Sequence, residues 1–124
     1  MSKKDKAVPS QRQIRGLNLG PGIESALKSR IGKGLRTQDL NGLCPDKLVR
    51  DLILDWQARG YVFSQASENS VVLHNPKDNS YMTIKIKEEG LHVTAQEIPE
   101  DLVPVYGGYF SKRNIGFKYS TKSA

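Results

Sequence analysis

The sequence predicts an α+β domain: an antiparallel four-stranded β-meander packed against one amphipathic helix, preceded by a short basic helix and a flexible N-terminal arm. Three observations predict it. Apolar residues recur at helical spacing from Asp46 to Arg59. After Gly60 the period shortens to two. Clusters of turn formers then cut the alternating stretch into short pieces, as an antiparallel meander requires.

Residues 1–21 form the arm. They are polar and charged, hold Pro9, and close on Gly20-Pro21-Gly22, so they offer too little apolar area to offset the entropy of ordering. Ile14, Leu17 and Leu19 are the exceptions and can dock on the body. Residues 22–119 make the single domain. Ile23, Ala26, Leu27 and Ile31 fall at helical spacing, which predicts a short basic helix within residues 22–36, weakened late by Gly32 and Gly34.

The best-defined element is the helix from Asp46 to Arg59. Pro45 suits its entry, Asp46 and Arg59 complement its dipole, and Gly60 stops it. Leu48, Val49, Leu52, Ile53 and Trp56 make one apolar face, and Lys47–Asp51 and Asp55–Arg59 are ion pairs at i,i+4 on the other. Strands follow at Tyr61–Ser64, Ser70–His74, Tyr81–Lys87 and Leu91–Gln96. In the third, Met82, Ile84 and Ile86 point one way while Tyr81, Thr83, Lys85 and Lys87 point the other. Acidic Pro99–Pro104 ends the meander. Tyr106–Tyr119 reads as turn-rich because of Gly107-Gly108 and Gly116, and residues 120–124 are expected to fray.

Charge is segregated along the chain. The total is +6, yet the stretch from Cys44 to Gly108 holds six bases against ten acids. The excess positive charge lies in residues 1–43 and in Tyr109–Ala124, which has four bases and no acid. Basic extensions on an acidic body suit a polyanionic partner such as nucleic acid. The single Cys44 precludes an internal disulfide, and neither an apolar run nor a secretory leader stands out, so the expectation is a cytoplasmic protein with no membrane partner. No cofactor or metal is expected: His74 and His92 show no ligand spacing, and no phosphate loop, Rossmann fingerprint or nucleophile motif occurs.

The candidate nucleic-acid-binding residues follow from this pattern. Lys28, Arg30, Lys33 and Arg36 are the N-terminal phosphate contacts, and Lys112, Arg113 and Lys118 the C-terminal ones. Tyr109 and Tyr119, interleaved with those cations, would stack on unpaired bases. Lys85 and Lys87 add a basic row on the outer face of the third strand, opposed by Glu88 and Glu89.

From Asp46 to Lys87 the order of helix, Gly60-Tyr61-Val62-Phe63 strand, turn, strand and Asn75-Pro76 turn resembles the HicA-type toxins, small RNA-cleaving proteins with a double-stranded-RNA-binding-like fold. The resemblance covers about a third of the chain. It implies that fold and RNA affinity. The position of the family's catalytic His falls at or near Ser70, so the resemblance does not carry over its cleavage chemistry. The sequence therefore points to a non-enzymatic nucleic-acid-binding protein, RNA before DNA. The alternatives are a protein–protein adaptor or inhibitor of the phage or bacterial accessory kind, and a ribonuclease acting through His74 or His92.

Overall fold

A computed structural model describes residues 14–122. The domain is α+β, with a mixed sheet of five strands in the order β1-β2-β3-β4-β5. Helices α1 (Pro21–Lys28), α2 (Thr37–Leu43) and α3 (Lys47–Ala58) come first. Strands β1 (Val62–Ser67), β2 (Ser70–Asn75), β3 (Ser80–Lys87) and β4 (Gly90–Ile98) follow as the antiparallel meander. A single 3-10 turn leads into α4 (Val103–Lys112), which returns the chain to β5 (Gly116–Thr121), parallel to β4. No helix among the described residues is long and apolar enough to cross a membrane.

Helix α3 forms as its sequence dictates. The Asp46 carboxylate accepts from the Leu48 amide at 2.9 Å, satisfying one of the free N–H groups of the first turn. Gly60 takes φ 106°, a left-handed value open to glycine, and ends the helix. Val49, Leu52, Ile53 and Trp56 are buried as the spacing required, whereas Leu54 faces outward at 43% exposure. Lys47 and Asp51 pair at 2.6 Å. The other expected pair is different: Arg59 donates to the backbone carbonyl of Asp55, and the Asp55 carboxylate instead accepts the Tyr109 hydroxyl.

Helices α3 and α4 cover the same face of the sheet through a cluster of rings. Trp56 contacts Tyr61, Tyr106 and Tyr109 edge-on and stacks on Phe110 at 5.4 Å. Phe110 stacks on Phe117 at 5.0 Å, and Phe117 on Tyr119 at 5.7 Å, so a run of parallel rings reaches from the core to the β5 edge. Aromatic pairs of this kind add about 0.5–1.5 kcal/mol each beyond simple burial.

Three further expectations are corrected. The meander gains a fifth, parallel strand, because the Tyr106–Phe110 rings prefer burial as a helix face over a turn-rich loop. The basic helix stops at Lys28, and a turn through Gly32 (φ 82°) carries Gly32 and Lys33 alongside β1, where the Gly32 amide donates to the Phe63 carbonyl and the Phe63 amide to the Lys33 carbonyl, both at 2.8 Å. Within the arm, Ile14 and Leu17 dock on the body as anticipated: both are buried, and the Leu17 amide donates to the Glu68 carbonyl. Residues 1–13 of that arm lie outside the described residues. Ser120 and Thr121 belong to β5 rather than to a frayed end.

Candidate nucleic-acid interface

Strand alternation sorts the sheet into two unlike faces. One carries Phe63, Val71, Leu73, Met82, Ile84, Ile86, Leu91 and Val93, all buried under the helices. The opposite face carries His74 and Val72 on β2, Tyr81, Thr83, Lys85 and Lys87 on β3, and His92 and Thr94 on β4. None of these side chains is buried. Register fixes their rows: Val72, Thr83, Thr94 and Lys118 run across four strands, with Lys85 and His92 in the next row. Lys118 thus joins Lys85 and Lys87 on one open surface, a neighbourhood set by the parallel pairing of β5.

His74 and Tyr81 are cross-strand partners and their rings stack, with centroids 4.5 Å apart and planes 26° apart. His74 Nε2 lies 3.0 Å from the Asn79 side-chain oxygen, which fixes the ring against the β2–β3 turn. Tyr81 stays 39% exposed, so part of this pair faces solvent. At the other end, Glu89 lies 3.5 Å from His92 Nε2 and offsets positive charge near Lys87. His92 crosses over Gly116, where an added Cβ would fall 2.7 Å from its ring nitrogen.

The two histidines share the open face but not a site. His74 aligns with Tyr81 and His92 with Lys85, four residues farther along β3, or about 13 Å. One phosphate cannot bridge that gap as paired acid–base catalysis requires. Among the described residues no group of three His, Cys, Asp or Glu side chains is placed to hold a metal ion. Cys44 is fully buried, which pushes its thiol up to about 12, far from the reactive thiolate range.

The remaining expected contacts divide between structural work and other surfaces. Arg36 forms a two-pronged pair with Asp39, at 3.0 and 3.2 Å, and Arg30 donates through Nε and Nη2 to the Gly34 carbonyl, with Asp39 at 3.8 Å. The Arg36 guanidinium holds the Asp39 carboxyl below its ordinary value against the opposing effect of burial. These two arginines therefore fasten the α1–α2 region. Lys28 and Lys33 are exposed beside the β1 edge.

Tyr109 is corrected as a stacking platform. It is 9% exposed, its hydroxyl donates to Asp55, and the Arg113 and Arg59 guanidiniums lie 3.6 and 5.0 Å from its ring centre. Burial, reinforced by Asp55, pushes its hydroxyl up to about 12. Arg113 and Lys112 lie with it between α3 and α4, away from the open face. Tyr119 is 52% exposed at the β5 edge, on the helix-covered side, and its ring rests on Phe117.

Sequence reasoning missed the His74–Tyr81 stack and the role of Arg59, which packs 4.7 Å from the Trp56 ring. A cross-strand signal for the first was present, since the Asn75–Asn79 turn places residues 74 and 81 opposite each other. No protein-family model matches the chain, and no curated protein or solved structure matches it either.

Proposed function

We propose that the protein binds single-stranded nucleic acid, RNA in preference to DNA, on the open face of its sheet and without enzymatic turnover. The observation that carries this reading is the convergence of Lys85, Lys87 and Lys118 from two non-adjacent strands onto one uncovered face beside the stacked His74–Tyr81 pair. Ammonium groups on flexible stems hold phosphates without reading sequence, and a partly exposed aromatic ring offers a stacking surface to an unpaired base. The open row of Val72, Thr83 and Thr94 between them suits a splayed strand better than the groove of a duplex. Strand-borne side chains are also held more firmly than loop side chains, which lowers the cost of ordering the site.

The test is fluorescence anisotropy with labelled single-stranded RNA, double-stranded RNA and duplex DNA across a salt series. Wild-type protein is expected to favour single-stranded RNA, with affinity falling as salt rises by about 0.7 log units per log unit of salt for each phosphate held. The K85E/K118E variant is expected to lose most of that affinity, and Tyr81→Ala about tenfold. Binding that is unchanged by the lysine reversals, or absent at low salt, would overturn the assignment.

A further inference from the structure

Helices α3 and α4 end in the same way. Arg59 folds back to the Asp55 carbonyl at 3.2 Å, and Arg113 to the Tyr109 carbonyl at 3.0 Å. Each guanidinium spends one donor on the last turn of its helix and rests against Tyr109, so both are pre-set in position with further donors to spare. Between the two helix ends lies a cavity of about 520 Å³ whose lining includes Arg59, Lys112 and Arg113. The one acid in that lining is Asp55, whose carboxylate already accepts the Tyr109 hydroxyl.

The glycines of α4 supply a second and independent observation. Gly107 and Gly108 sit inside the helix, where each is less favourable than alanine. Neither has a φ in the left-handed region, and an added Cβ at either would meet nothing within 4 Å. The fold itself therefore does not call for glycine at these positions. A ligand that approaches the helix backbone closely does, and Gly108 lines the cavity between the cations.

We propose that this cleft binds a phosphate monoester. Three cations against one carboxylate leave a net charge of +2 in the lining. A monoester carries about −1.5 to −2 at neutral pH and matches it, whereas an internal phosphodiester carries only half as much. The arginine forks suit its planar pairs of oxygens, Lys112 adds a point charge, and Gly108 leaves room for the group against α4. The cleft lies on the helix side of the sheet, so the site does not rest on the nucleic-acid reading of the open face.

The shared chemistry has two sources, the 5′-phosphate at the end of a nucleic-acid strand and a small free phosphate compound. Calorimetry with inorganic phosphate and anisotropy with 5′-phosphorylated and 5′-hydroxyl RNA of one sequence separate them. Arg59 and Arg113 also close helix ends, so the informative variants are Lys112→Gln and Gly108→Leu, which leave those bonds in place. Wild-type protein is expected to bind the phosphorylated strand about tenfold more tightly than the hydroxyl strand, and both variants to lose that advantage. Saturable heat from inorganic phosphate, abolished in both variants and with no advantage for the strand end, supports the site with a small-molecule ligand. Absence of both signals overturns the proposal, as does a phosphate signal that survives Gly108→Leu. Failure of the open-face reading is separate: K85E/K118E would then leave both strands bound as in wild type.

Discussion

Asp39 shows how one side chain decides what its neighbours can do. Its carboxylate is 3% exposed and accepts from the Arg36 amide and guanidinium at 3.0 Å each, with Arg30 a further 3.8 Å away. A buried carboxylate with those partners anchors α2, and its loss leaves two arginines without their shared anion. Replacement Asp39→Asn is expected to lower stability by about 2 kcal/mol near neutral pH. The sign with pH follows from the lowered pKa of the Asp39 carboxyl. The contribution is complete above the ordinary value of 3.8 and is lost as pH falls through the depressed folded value, because the unfolded state then binds the proton first. Urea unfolding of wild type and variant should therefore show a gap at about pH 7 that closes in strong acid. A gap of constant size across that range would show that the carboxylate charge plays no part.

At the scale of elements, α4 and β5 show what the sequence conveyed and what it withheld. The helix at Asp46–Arg59 was legible from its period, cap and stop, and the third and fourth strands from their alternation, while the first two showed as aromatic and β-branched runs between turn formers. The α4 segment carries no such signal: Gly107-Gly108 imitates a turn, and the spacing of Tyr106, Tyr109 and Phe110 acquires meaning only once Trp56 is there to receive them. Helix α2 was hidden for a similar reason, since Leu40 and Leu43 are too few to set a period in seven residues. Lys118 could not be placed beside Lys85 without knowing that β5 runs parallel to β4. Glycines that look alike in sequence are likewise unlike in place. Gly107→Ala meets no neighbour and is expected to stabilise by about 1 kcal/mol, raising the melting temperature by about 4 °C. Gly116→Ala drives a Cβ against the His92 ring at 2.7 Å and is expected to lower the melting temperature. Thermal melts that rank the two variants in the other order would contradict this account of both elements.

Over the whole molecule, the expected cations do not form one continuous track. Asp39 engages Arg30 and Arg36, the open sheet face presents Lys85, Lys87 and Lys118, and the cleft behind it holds Lys112 and Arg113, joined there by Arg59, which was not among them. The sheet and its apolar core separate the last two groups, so a short strand lying on the open face has no route to the cleft except around the β5 edge. Charges that share no partner and stand more than about 10 Å apart contribute additively. A short single strand with a 5′-hydroxyl end is therefore expected to lose affinity in K85Q/K118Q, to bind Lys112→Gln as it binds wild type, and to show no further loss in the triple variant. Its salt slope should fall by about 0.7 for each sheet lysine that had held a phosphate, and not at all for Lys112. Lengthening the strand provides the contrast, because only a strand long enough to round the β5 edge can couple the two surfaces. A Lys112 effect that appears with the short strand would mean that the cleft and the open face act as one site, and the division of the molecule into two binding surfaces would have to be abandoned.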